Sequence, residues 1–591
     1  MKRLFHLVTL ATVAAVLMIG CEKENPSPVD PDPQQGDTTN YLAFSAVEAG
    51  ATVSMEIVGQ CEAPSLEYST DLKKWTKFDF SKPQTITLKD VGDKVYWRNT
   101  GKTDTFSPAD VGNYIHFNLG SKKIAASGNI MSLLDSECEM AEMPEDATFL
   151  NLFRKDSMLV SAPQLPATTL STCCYYAVFA GCESLKEAPE LPAIELSSDC
   201  YRAMFAECKS LEKAPALPSL KLAEYCYTAM FQNCSSLKNA PALPATKLAR
   251  NCYCTMFYGC TSLTEAPILP ATDLTGAANC YKHMFNGCKS LEKAPELPAT
   301  KLATACYAFM FENCTSLKKS PALPAIILTD DCYNSMFYEC ESLEEAPALP
   351  ATKLAEACYY GMFNNCVSLA RIPSSLPATK LAEYCYAFMF QGCKSLEKAP
   401  ALPATELAPN CYYVMFADCP SLNSAPELPA TKLAENCYGF MFGYSGLTKA
   451  PELPATELAP GCYYAMLTGC YELEKAPELP AKKLEAGCYE SMFDDCPKLN
   501  YIKVGFEDWH EDIGATAGWV VGVGAEGTFE CPEGLEVKYG DSFIPSGWSV
   551  NGASPVATKS FAATAAKSTS GSHRKPLASK TPEIPSRFID L

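Results

Sequence analysis

Histidine is scarce in this chain of 591 residues: there are five, His6, His116, His283, His510 and His573, and they are scattered. That leaves little from which to build a general base or a metal site. No GxSxG elbow, HExxH pair, phosphate-cradling glycine loop or dinucleotide fingerprint stands out, which excludes the chemistries those motifs carry. Positive charge is also short. Against 68 Asp and Glu there are 48 Lys and Arg, and the formal charge of -20 disfavours nucleic acid, whose phosphates need a basic surface. The acidic residues interleave with lysines, as in LEKAPELPATKLAE, and read as a solvated mixed surface. Beyond the N-terminal segment, no apolar run is long enough to cross a membrane.

Cysteine is abundant instead, at 31 residues, and most of it is periodic. A first cysteine falls at 174, 200, 226, 252, 280, 306, 332, 358, 385, 411, 437, 462 and 488, giving thirteen units spaced mostly by 26. A second follows eight positions later in every unit but one, where Ser445 stands and the next unit arrives a residue early. Such a period marks stacked supersecondary units that bury a continuous core between neighbours. Carboxylates recur on the outer positions of every unit, so solvation accounts for them better than an acid and base for glycan cleavage.

The unit beginning CYAFMFENCTSLKKSPALPA at Cys306 folds on paper into two limbs. Cys306, Tyr307, Met310 and Phe311 make an apolar stripe at helical spacing, which predicts a helix of about nine residues. In the next unit Thr329 reads as the N-cap, with Asp330 and Asp331 in the first turn. Before the second cysteine stands Gly at 181, 259, 287, 392 and 469, or Asn at 233, 313 and 365, types that close a helix in the left-handed region. The second limb carries Cys314, Leu317, Ser320 and Leu323. It reads as a strand of about three residues, because Pro321 and Pro324 remove ladder donors. Helices pack about 8 to 10 Å apart and strands about 4.8 Å, so the stack is expected to curve with its strand side concave.

Along such a helix the two cysteines of a unit stand on the order of 12 Å apart, beyond the roughly 7 Å reach of a disulfide. We read them as buried free thiols, with bridges between adjacent units as the remaining alternative; the eight-residue spacing lacks the close knuckle of a zinc site. The tyrosine after each first cysteine belongs to the apolar stripe. Second tyrosines occur irregularly, at Tyr176, Tyr360, Tyr413 and Tyr464, and these four are the candidate ligand contacts.

The flanks complete the expected organisation. Residues 1–20 have the basic start and short apolar run of a secretory signal, and 21–40 is a Pro-, Asp- and Gln-rich tether. Residues 41–145 alternate apolar and polar in runs such as TVSMEIVG and KVYWRNT and predict a β-sandwich, with Trp75 and Trp97 in its core rather than stacked on a sugar. The array spans 146–499, a β-rich cap 500–551, and a disordered Ser-, Ala- and Lys-rich tail 552–591.

Two resemblances sharpen this. LMIGC is similar to a bacterial lipobox, which implies that Cys21 is the lipidated first residue of the mature chain; Glu22, Lys23 and Glu24 resemble an export tag of Bacteroidetes surface lipoproteins. The strings MFENCTSL, LPATKLA and MFYGCTSL resemble the BspA-like, Treponema-type leucine-rich repeats of bacterial surface proteins, over about Leu150 to Leu499. The resemblance implies an α/β fold: a curved leucine-rich-repeat solenoid of about 13 units between a β-sandwich and a β-rich cap. It also implies a non-enzymatic, cofactor-free lipoprotein of the outer membrane, facing outward. Its partners would be host matrix or cell-surface proteins, glycoproteins or other bacteria, bound on the concave face. The alternative is a glycan-binding accessory lipoprotein of a polysaccharide uptake system. This unit departs from the shorter family consensus by the CY at its start.

Overall fold

The computed structural model describes residues 40–552, apart from 105 and 108–111. The signal, Cys21, the tether and the C-terminal tail, read from sequence alone, lie outside the described residues.

Eight strands precede the array: β1 (Leu42–Ala46), β2 (Ala51–Val58), β3 (Leu66–Ser69), β4 (Thr76–Lys77), β5 (Thr85–Leu88), β6 (Lys94–Asn99), β7 (Tyr114–Asn118) and β8 (Ile124–Ser127). They form two sheets, ordered β4-β3-β6-β1-β8 and β5-β2-β7, and the first is extended by β9 (Leu159–Ser161), which pairs parallel to β8 from inside the array. Alternation along β2 buries Ala51, Val53 and Met55 and turns their neighbours outward, as a half-buried strand requires. Trp97 is fully buried and meets Phe117 edge to face at 5.3 Å, and Phe117 stacks on Phe153 at 5.5 Å. The N-terminal sheets and the array therefore share one core. Trp75 is half-buried, with the Arg98 guanidinium 3.9 Å from its ring centroid.

The predicted helix is absent. Among the described residues there is no α-helix, and the limb that should be helical is a run of overlapping tight turns. Its backbone donors alternate. In the unit at Cys306, the N–H groups of Cys306, Ala308, Met310, Glu312 and Cys314 reach back three residues. Those of Ala305, Tyr307, Phe309, Phe311 and Asn313 donate to the carbonyls of Asp330, Cys332, Asn334, Met336 and Tyr338 in the next unit, at 2.8–3.0 Å. Ala305, Phe309 and Asn313 have positive φ, so the coil closes every four residues. Thr329 caps no helix: its carbonyl accepts from the N–H of Cys332. The fold is therefore a leucine-rich-repeat solenoid with strands and almost no helix, and the α/β label gives way.

Inside each coil the constant residues form columns. Thirteen tyrosines, Tyr175 to Tyr489, stack at centroid spacings of 5.6–5.9 Å, and the phenylalanines from Phe153 to Phe442 at 5.5–5.7 Å. Each fully buried Phe, Met or Leu contributes roughly 1.5–3 kcal/mol, and the stack repeats the contribution unit by unit. These spacings replace the wider helix packing on which the concave strand side rested, so the predicted source of curvature is missing. The second cysteines donate S–H to a carbonyl of the preceding coil, as Cys314 to Phe285 at 3.1 Å and Cys340 to Phe311 at 3.0 Å. The Phe311 carbonyl also takes the N–H of Cys314, so a small, weak donor satisfies a second lone pair where a larger one has no room. The described cysteines are free thiols.

On the other limb the prolines leave isolated parallel bridges where strands were predicted, such as Lys319 to Glu345 and Ile327 to Lys353 on either side of Pro321 and Pro324. Among the described residues, a continuous parallel sheet forms only at the far end, from β10 (Lys475–Leu479), β11 (Tyr501–Val504), β12 (Thr528–Glu530) and β13 (Ser549–Asn551). The turn coils also outrun the cysteines. Phe149 and Phe153 donate to Cys174 and Val178 from a coil in which Asp156 takes the second cysteine's place. Tyr489 and Phe493 donate to Ala515 and Trp519 in a coil where Trp519 takes the methionine's place.

Candidate ligand-binding face

The positions that vary from unit to unit lie together on the outer side of the turn limb. Numbered from the first cysteine, they stand one residue before it and two, three and six after it. Tyr176, Tyr360, Tyr413 and Tyr464 all occupy the second of these. The structure separates them. Tyr176 packs on Ala177, Ala180, Ala203 and Ala206, with the Arg202 guanidinium 5.6 Å from its ring centroid and held by Asp199 at 2.9 Å. Tyr360 is fully buried, 5.2 Å from Phe388 and 6.3 Å from Tyr384, and is withdrawn as an exposed contact. The small Gly361 and Ala387 beside it leave room for its ring to fold inward. Tyr413 and Tyr464 stay half-buried and line the same cavity.

That cavity has a volume of about 370 Å³ and is lined by Tyr384, Phe388, Asn410, Tyr413, Asn436 and Tyr464. It sits over a second apolar cluster outside the main core, built on Ala357, Tyr360, Ala387, Phe388, Val414, Ala417, Phe440 and Ala465. Phe388 and Tyr413 meet edge to face at 5.6 Å. Burial pushes the Tyr413 hydroxyl up to about 12, with the neighbouring Tyr464 and Tyr384 adding to the shift, and burial also raises Tyr464, so these two stay protonated donors at neutral pH. Tyr384, Phe388, Asn410 and Asn436 escaped the sequence reading, which looked only beside the CY dipeptide. Aligning the units on their cysteines places Tyr384, Asn410 and Asn436 in one column and Phe388 in another.

Elsewhere on this face His283 stacks on Phe309 at 4.6 Å beside Asn286 and Glu312. The proline limb opens at two further places. A cavity of about 460 Å³ beside Arg371 and Pro373 adjoins the 27-residue unit, and one of about 830 Å³ between Pro451 and Pro477 adjoins the 25-residue unit. Arg371 lies 3.5 Å from both Glu344 and Glu345 at the first of these. Among the described residues no group of three His, Cys, Asp or Glu side chains is placed to hold a metal ion, and no helix is long and apolar enough to cross a membrane.

Residues 165–272, 251–397 and 319–439 match the family model described as BspA type leucine rich repeat region, in six copies. Among solved structures, the chain is similar to a leucine-rich repeat protein from Bacteroides ovatus, at 17% identity over 65% of this chain and 88% of that one, with a TM-score of 0.33. It is also similar to a leucine rich cell surface protein from Faecalibacterium prausnitzii, at 14% identity over 76% of this chain and 95% of that one, with a TM-score of 0.30. No curated protein matches the chain.

Proposed function

The repeat array is a BspA-type leucine-rich repeat region, and from that premise we propose that the chain is a non-catalytic cell-surface protein that binds macromolecules. Its partners are host matrix or cell-surface proteins or the surfaces of other bacteria, and its anchor is a lipid on Cys21. The observation that carries this reading is the division of labour in the turn limb. Tyrosine, methionine, phenylalanine and both cysteines of a coil are spent inward. The outer columns are left free to vary over a long surface, which is how repeat scaffolds present extended binding faces. Contacts are spread over neighbouring coils, so affinity for one partner is modest and rises when many anchored copies meet a multivalent target.

Surface binding of the purified mature chain to matrix proteins and to intact cells tests this. Saturable binding with the ligand chemically unchanged is the expected result. Excising whole units in register, beginning with the 26 residues Cys306–Asp331, should preserve folding and weaken binding in steps. Binding indifferent to such excisions, or a ligand that is cleaved, would defeat the reading. For the anchor, Cys21→Ala should abolish labelling by radioactive palmitate and release the chain from the membrane fraction.

A further inference from the structure

The cavity lined by Tyr413 and Tyr464 spans a coil that carries no side chain at their offset. These tyrosines occupy the same offset two units apart, and the unit between them places Gly439 there. A Cβ on Gly439 would come 2.8 and 2.9 Å from two carbons of the Tyr413 ring, and its φ is not in the left-handed region. Glycine is therefore set here by the approach of a ring and not by the turn. At about 370 Å³ the space falls within the range of small-molecule sites, roughly 300–1,000 Å³.

The chemistry of the lining selects the ligand. Four aromatic rings and two carboxamides face the space, and none of these side chains carries a formal charge. An anionic ligand finds no counter-charge there, and a nucleic acid strand also needs a cationic groove for its backbone. A proline-rich peptide offers chiefly acceptors, because its prolines lack N–H groups, and would leave the carboxamide oxygens without donors. A neutral sugar ring meets both demands. Its C–H faces lie on the aromatic rings, and its hydroxyls donate and accept, as do the Asn410 and Asn436 carboxamides and the phenol groups.

We propose that this cavity is a saccharide subsite: one neutral sugar residue stacks on Tyr413 and Tyr464 and bonds through its hydroxyls to Asn410 and Asn436. The inference rests on the reading of the chain as a binder of surface macromolecules and names the part of the partner that is recognised.

The test is an array of neutral oligosaccharides built from glucose, galactose, mannose and N-acetylglucosamine, probed with the full mature chain, followed by calorimetric titration of those that bind. Tyr413→Ala and Tyr464→Ala should each weaken binding by about tenfold or more. Gly439→Val, which drives the Tyr413 ring from its place, should abolish it. Lys89→Ala, exposed just after β5 in the N-terminal sheets, should leave it unchanged. Because Gly439→Val presses on the Tyr413 ring, Asn436→Ala supplies a variant that needs no extra room, with unfolding midpoints measured for all. The proposal is overturned if no neutral saccharide binds, if the two tyrosine variants and Asn436→Ala stay within about twofold of the parent, or if a proline-rich peptide competes and sugars do not. Binding to a surface macromolecule that survives removal of its glycans and the Tyr413→Ala change would sink the subsite and leave the broader reading standing. Sugar binding with no macromolecular partner would do the reverse.

Discussion

Inner and outer faces of the turn limb share one backbone and follow opposite rules. Inward, Tyr307, Met310, Phe311 and Cys314 recur in near-identical form from coil to coil, and their rings stack almost parallel. Outward, the coils present Arg202, Lys282, Phe309, Tyr413 and Glu490. The inward side chains supply the burial, and the backbone bonds between coils need no particular side chain. Outer residues outside the second apolar cluster are thus released from the work of holding the stack, even where they occupy a left-handed position, as Phe309 does.

The sharpest way to break this comparison uses two residues that are neighbours but one. Phe311→Ala should cost about 3–5 kcal/mol, because a ring is lost from a filled column and the coils on both sides are tied by backbone bonds. Phe309→Gly should move the urea midpoint by the equivalent of only about 1 kcal/mol in either direction, since the loss of its stacking on His283 is offset by relief of its left-handed backbone. Equal losses in the two variants would refute the division.

A second prediction asks what happens where an inward position is polar. Asp156 stands in a cysteine's place, takes one hydrogen bond from the Leu119 N–H, and is pushed up to about 8 by burial. The folded protein keeps a proton that the unfolded chain releases above its ordinary value of 3.8, so the contribution of this group is most favourable below that value and is lost as pH rises toward 8. The slope should approach about 1.4 kcal/mol per pH unit at its steepest. Asp156→Asn, which keeps the acceptor, should flatten that dependence in urea titrations between pH 5 and 7.

Smaller still is the effect expected of a thiol. Cys314→Ala should cost about 1 kcal/mol, the lost S–H contact and a small void, whereas Cys254→Ala on the outer side should be near neutral by thermal melting. Thiol labelling sharpens the same contrast. In the native protein the half-buried Cys61, Cys138, Cys173 and Cys254 should react first. Burial pushes Cys138, Cys173 and Cys254 up to about 11, so their labelling is slow at neutral pH and accelerates toward that value. Denaturation should expose the buried cysteines as well; almost no new thiols would contradict the packing described.

Much of this was written in the sequence, and what was misread has a physical cause. The cysteine lattice marked the units, and the Gly and Asn before each second cysteine do sit at positive φ, as in Gly181, Asn233 and Asn313. The error lay in the period. Apolar pairs at 306–307 and 310–311 with Cys314 repeat every four residues, and over so short a run four is hard to tell from 3.6. The second clue was Asn, Asp or Gly just before the first cysteine, at Asp199, Asn251, Asn279, Asn410 and Gly461, which a helix does not ask for and a second left-handed corner does. The end coils were invisible because Phe149, Asp156 and Trp519 carry the geometry without the cysteines. Of the four tyrosines singled out, Tyr413 and Tyr464 share a cavity. Tyr360 was lost to the interior through the small residues Gly361 and Ala387 beside it.

Between the two cysteine positions, the backbone hydrogen bonds that join neighbouring coils run one way, from an N–H in one coil to a carbonyl in the coil after it. Peptide dipoles aligned head to tail add, as they do along an α-helix, so the turn limb has an electrical polarity along its stacking direction. Its sense is reversed relative to a helix: the carbonyl-rich, negative end is the first coil, and the positive end is the last. The N-terminal domain meets the negative end with a donor, the Phe117 N–H on the carbonyl of Leu152, while the positive end is met by acceptors such as the Asp541 carbonyl on the Val520 N–H. Each added unit lengthens this field without altering any contact, which makes the number of repeats an electrostatic variable as well as a measure of reach.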